Sequence, residues 1–193
     1  MKIYLLRHAH RGYGEEQDSL TEIGLEQSRR TAEFFCYIKL DKIICSNKNR
    51  VRETAKQIME RMNCAVEYTS EINEQELGIF EGRSGKELQE AVKNSGLPEK
   101  DFRPEGGENR EDVYNRTVKF YKMLKKEKVD SILIVSHAGF ISDLIALLLE
   151  LPESENVHFK TGFCAISYFE LDKEFKVRDF YIGDLTHLGK YAK

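Results

Sequence analysis

Short apolar runs alternate along the chain with longer stretches that carry helical spacing. The segment from Lys2 to Leu6 is apolar over nearly its whole length, the pattern of a buried strand, and it delivers Arg7 and His8 to its carboxyl end. A polar, glycine-containing loop follows. Thr21 then predicts a helix N-cap, with Leu20 and Leu25 spaced for a hydrophobic staple, and the helix is expected to run into the late thirties. Lys42 to Cys45 predicts a second strand, followed by a helix whose apolar stripe is Val51, Ala55, Ile58 and Met62. Ala65 to Tyr68 is a weaker strand, and Ser84 with Glu87 has capping-box spacing for a helix reaching about Lys93. Pro98, Pro104 and Gly106-Gly107 make residues 94–108 a loop. From Asn109 to Lys126 one helical face reads Val113, Thr117, Phe120 and Leu124. Ser131 to Val135 is the clearest buried strand and delivers Ser136 and His137, whereas Phe140 to Leu149 is apolar nearly all round, as in a buried helix. Residues 163–182 alternate like two antiparallel strands joined near Asp172-Lys173.

Strands alternating with helices, closed by a hairpin, predict an α/β fold: a three-layer α/β/α sandwich around a mainly parallel sheet with an antiparallel edge strand. A chain of 193 residues has the length of one domain, here expected to span residues 1–193. Ligands of such sheets bind beyond the carboxyl ends of the strands. Arg7-His8, Ser46 to Arg50, and Ser136-His137 all fall at that edge.

Composition narrows the partners. The net charge of −3 gives no basic field to recruit nucleic acid or an anionic membrane, so any anion has to be captured locally. The apolar stretch at the N-terminus is too short for a signal peptide core, and no stretch approaches the ~20 apolar residues of a membrane span, so the cytoplasm is the expected compartment. Cys36, Cys45, Cys64 and Cys164 contain no C-x-x-C pair and are expected as small buried residues. Oligomeric state, monomer or homodimer, is left open.

Two guanidiniums, Arg7 and Arg50, and two imidazoles, His8 and His137, meeting at one sheet edge would make an anion site, because guanidinium donors match phosphate oxygens bidentately. At this point the sequence resembles the histidine phosphatase superfamily, in its phosphoglycerate mutase-like branch 1. Arg7-His8-Ala9 resembles that family's Arg-His-Gly signature; Leu20-Thr21 with Gly24 and Gln27 is similar to its first helix; Ser46, Arg50 and Thr54-Ala55 resemble its second arginine segment. Asn73-Glu74 leading to Gly78 and Phe80-Glu81-Gly82 is similar to the acid-bearing segment, Pro104 to Asn109 to the stretch ahead of the long helix, and Ser136-His137-Ala138-Gly139 to the second histidine segment.

The resemblance implies a phosphoglycerate mutase-like fold and a phosphomonoester hydrolase working on a small phosphorylated substrate. His8 is then the phosphorylated nucleophile, Glu74 the general acid and base, and Arg7, Arg50, His8 and a protonated His137 the phosphate holders, with no metal and no cofactor. His10, Tyr13, Phe80 and Arg103 are candidates for substrate contact. Two positions depart from the family pattern. Ala9 stands where glycine is usual, which is costly only at positive φ. Gly14 stands where an asparagine commonly contacts phosphate. The span from Gly82 to Ser136 is too short for the extra covering segment of the mutases, which favours hydrolysis over mutase-type transfer.

Three rival readings accompany this one. His8-Ala9-His10 could place two imidazoles on a metal. Cys45 and Arg50 echo the cysteine phosphatases, but four residues intervene where C-x5-R needs five. A catalytically silent phosphate-binding module is the third. His158 and His187 are read as surface and packing residues.

Overall fold

Every residue from Ser131 to Ser136 is buried, which explains why this run is the plainest strand in the sequence: it has neighbours on both sides and helices on both faces. The structure, a computed structural model, describes residues 1–12, 18–152 and 158–192. Strands β1 (Lys2–Arg7), β2 (Lys42–Ser46), β3 (Ala65–Thr69), β4 (Ser131–Ser136), β5 (Ile166–Leu171) and β6 (Val177–Asp184) make a six-stranded sheet of order β3-β2-β4-β1-β5-β6. β1 pairs parallel with β4, and β2 pairs parallel with β3 and β4. β5 runs antiparallel to β1 and to β6. The reversed strand thus lies one place in from the edge, and its hairpin partner β6 covers it.

Alternation along the strands sorts the core into two layers. Tyr4, Leu6, Ile43, Cys45, Leu133 and Val135 pack under α1 (Glu22–Phe35) and α2 (Asn49–Met59). Ile3, Leu5, Ile44, Ile132 and Ile134 pack under α4 (Arg110–Leu124) and α5 (Ala138–Leu148). The fifth helix, α3 (Gly85–Ser95), has no buried residue. Among the described residues, no helix is long and apolar enough to cross a membrane.

Local signals held with three adjustments. Thr21 caps α1, its Oγ1 accepting from the Gly24 amide at 3.2 Å, but Leu25 is 51% exposed and forms no closed staple. Met62 lies beyond the end of α2, although it still packs against the core. Cys45 and Cys164 are buried as expected, whereas Cys64 is half-buried and Cys36 is exposed after the last turn of α1.

The topology creates one crevice. α1 carries the chain from β1 onto one face of the sheet, and α5 carries it from β4 onto the other. β1 and β4 are neighbours, in register from Lys2 and Ser131 to Arg7 and Ser136. Connections leaving adjacent strands in opposite directions open a gap at their carboxyl ends.

Candidate active site

His8 and His137, each one residue past those paired strand ends, face one another across the gap with ring centroids 5.2 Å apart. His8 is 4% exposed. Its Nδ1 lies 2.8 Å from the Ala9 carbonyl oxygen, which can only accept, so Nδ1 carries the proton and Nε2 keeps its lone pair. Burial holds the His8 pKa well below the usual imidazole range, and Arg50, Arg7 and Arg11 push it further down. Desolvation is the larger of these causes.

The other imidazole is fixed from both sides. Arg50 Nη2, a donor only, lies 3.1 Å from His137 Nδ1. His137 Nε2 lies 2.8 Å from Ser46 Oγ, and Ser46 donates to Asn73 Oδ1 at 2.7 Å. The Asn73 amide nitrogen in turn donates to the Glu76 carboxylate at 3.3 Å. Every link agrees that Nε2 of His137 carries the proton, and burial, His8 and Arg50 lower its pKa well below the usual value. His137 is therefore neutral in this geometry, where the sequence reading has it protonated.

The cations are held by separate devices. Arg7 donates Nη1 to the Thr161 carbonyl at 2.6 Å, and its guanidinium lies 4.1 Å from the Phe163 ring centroid. Arg50 pairs through Nη1 with Asp18, while its Nε is buried without a hydrogen-bond partner. A buried guanidinium N–H without an acceptor is costly, which marks a place for an anion.

Glu74 reaches the first turn of α5, accepting from the Gly139 amide at 3.3 Å and from the Gln75 amide at 3.3 Å. A Cβ at 139 would sit 2.5 Å from Glu74 Oε1, so a larger residue there would push the carboxylate from this position. The acid-bearing segment is clamped from behind: Arg116 pairs with Glu108 at 2.8 Å and donates to the carbonyls of Glu71 and Glu74 at 3.1 and 3.2 Å.

The family model for the histidine phosphatase superfamily (branch 1) matches residues 3–180. The chain belongs to that superfamily. An adenosylcobalamin/alpha-ribazole phosphatase of Escherichia coli (strain K12) is 27% identical over 187 residues, covering 91% of this chain and 92% of the relative. A glucosyl-3-phosphoglycerate phosphatase of Mycolicibacterium vanbaalenii is 27% identical over 169 residues, covering 78% of this chain and 75% of the relative. The fold superposes on an alpha-ribazole phosphatase structure from Shigella flexneri with a TM-score of 0.83 at 24% identity, over 95% of this chain and 96% of that one. This chain is an enzyme of the histidine phosphatase type.

Within this histidine phosphatase, the residues flanking His8 explain the quoted motifs. Thr54 Oγ1 accepts from the Ala9 amide at 3.0 Å, and Gln27 Oε1 accepts from the His10 amide at 2.9 Å. Gly24 lets α1 approach, since a Cβ there would sit 2.0 Å from the His10 carbonyl oxygen. Ala9 is not among the described residues with positive φ, so the alanine costs nothing in backbone strain.

Of the substrate candidates, His10 packs on Phe163 with centroids 5.0 Å apart and places Nδ1 2.9 Å from Thr21 Oγ1. Phe80 lies in a short 3-10 turn with the Arg83 guanidinium 5.9 Å from its ring, and Arg103 is paired with Asp112 at 2.7 Å. Tyr13 and Gly14 fall outside the described residues. Among the described residues, no three His, Cys, Asp or Glu side chains group as a metal site. Cys45 is buried in the core with its pKa pushed up to about 12, which does not suit a thiolate nucleophile. His158 is exposed, and His187 Nε2 packs 3.1 Å from Thr31 Oγ1.

Sequence reasoning missed Asp18 and Phe163, and missed Ser46 and Asn73 as the groups that fix His137. Serine at a strand end two residues before a helix carries no signal of an imidazole from another strand. Ser46→Ala is expected to leave the His137 Nε2–H without an acceptor and to lower unfolding stability by about 1–3 kcal/mol, read in a urea titration.

Proposed function

We propose that this chain hydrolyses phosphomonoesters through a phosphohistidine on His8, without a metal, on a small phosphorylated substrate. The observation that carries this reading is the bare Nε2 of a buried, neutral His8 opposite His137, Arg7 and Arg50. In the first half-reaction the Nε2 lone pair forms the N–P bond as the P–O bond to the alcohol breaks, and Glu74 gives that oxygen its proton. Arg7 and Arg50 hold the remaining oxygens, and His137 joins them once the arriving phosphate draws Arg50 from its Nδ1 and that nitrogen takes up a proton, which supplies by charge and position what phosphoryl transfer requires. In the second, Glu74 takes a proton from water as water oxygen bonds to phosphorus and the N–P bond breaks.

The ordinary backbone at Ala9 and the gathering of Arg7, Arg50 and His137 around His8 support an enzyme over a silent phosphate-binding module. Incubation with a 32P-labelled aryl phosphate in EDTA is expected to give turnover and an acid-labile, alkali-stable phosphoenzyme. Turnover abolished by EDTA, or an acid-stable adduct, would overturn the proposal.

A further inference from the structure

Beside Glu74 lies a cavity of about 350 Å³, lined by Gln75, Leu77, Leu88, Val92, Phe102 and Arg110, with Glu99, Lys100, Pro104 and His158 around them. It adjoins the chemistry directly. Gln75 follows Glu74 and donates its amide to Oε1. Arg110 Nη1 lies 3.1 Å from the position a Cβ on Gly139 would take, the same position that Glu74 Oε1 approaches to 2.5 Å. A group leaving phosphorus toward Glu74 therefore leaves toward this cavity. We propose that the cavity receives the alcohol of the phosphomonoester and selects alcohols with an apolar ring or chain and no charge of their own. The proposal rests on the phosphatase reading above.

Two independent features carry the choice. The first is the wall. α3 has a formed capping box, Ser84 donating its amide to Glu87 at 3.1 Å, yet it buries no residue in the core. Its apolar pair, Leu88 and Val92, stands one turn apart and faces the cavity, opposite Phe102 and Pro104. A stable amphipathic helix whose apolar face overlooks a cavity instead of a core is placed to cover an apolar occupant.

The second is charge. Arg110 is already matched, its Nη2 2.9 and 3.0 Å from the two oxygens of the half-buried Asp143. Lys100 is adjacent in sequence to Glu99, and the backbone amide of Arg110 donates to the Lys100 carbonyl at 3.2 Å, fixing that loop. Formal charge around the wall therefore sums to about zero, Arg110 offset by Asp143 and Lys100 by Glu99 next to it in sequence, with the exposed His158 beside them. A carboxylate on the alcohol would find Arg110 already engaged by Asp143 and only the solvent-exposed Lys100, whose hydrated ammonium repays little of the hydration the carboxylate loses.

The test compares three alkyl esters, so that leaving-group acidity does not decide: 2-phenylethyl phosphate, glycerol 1-phosphate and 3-phosphoglycerate. Wild type is expected to favour the phenylethyl ester by about tenfold or more in kcat/KM, chiefly through KM. Leu88→Ala and Phe102→Ala are each expected to bring the phenylethyl-to-glycerol ratio toward one, a ratio taken on one protein and so insensitive to the folded fraction. Equal use of the esters, a preference for 3-phosphoglycerate, or a ratio unchanged in both variants would overturn the proposal while leaving the phosphatase reading intact. No turnover and no phosphoenzyme with any ester would overturn both.

Discussion

His8→Ala is expected to lower kcat by about 10⁴-fold or more, with no phosphoenzyme and with folding preserved. Losing a nucleophile removes the covalent route itself, and knock-outs of that kind leave only the rate that binding and charge provide. Folding is expected to survive because the backbone amide of His8, which donates to the Ser136 carbonyl at 2.9 Å, is untouched by the change. The pH profile offers a finer check on the same residue. Lowering an imidazole pKa means that the protonated, non-nucleophilic form accumulates only at more acid pH. The acid limb of kcat/KM is therefore expected well below the ordinary ~6.5 of histidine. A limb at or above that value would show that His8 is not the buried neutral base described here.

Glu74→Gln is expected to separate the two half-reactions. On an alkyl phosphate, whose alkoxide leaves poorly, loss of the proton donor should cost about 10²–10⁴-fold in kcat. On an aryl phosphate with an acidic phenol the first step needs little help, so His8 is still phosphorylated. The second step still needs a base for water. The expected result is a burst of one phenol per active site followed by slow turnover, with phosphoenzyme accumulating. Equal losses on both esters, with no burst, would place the proton transfer elsewhere, and Asp143 would be the first alternative because Arg110 holds it beside the same helix turn.

The parts of this site that were legible in the sequence are those where a side chain's place follows from its own strand. Arg7, His8, Ser136 and His137 end apolar runs, and a parallel sheet gathers such ends at one edge. Glu74 is different: its place depends on the resemblance, and in the structure on Arg116, Glu108 and Gly139, none of them near it in sequence. Periodicity gave the strands but not their order, so the adjacency of β1 and β4 and the inboard position of β5 had to come from the coordinates. Asp18 and Phe163 escaped notice for the same reason. Each matters through one arginine brought to it by the fold, and neither stands in a pattern that marks it. The half-exposed Leu25 shows the converse: a correct local rule located the helix start while the tertiary contact it implies did not form.

The position of β1 also bears on synthesis. Its two neighbours, β4 and β5, begin at Ser131 and Ile166, whereas β2 and β3 pair with each other much earlier in the chain. A ribosome therefore releases the strand that leads to His8 first and the partners that hold it last. Contacts of such long sequence separation form slowly, and until they do the apolar run Ile3-Tyr4-Leu5-Leu6 has no ladder to join. Nascent chains halted before Leu171 are consequently expected to be inactive and prone to associate through the open edge of β1, so that this enzyme's own activity would report completed translation.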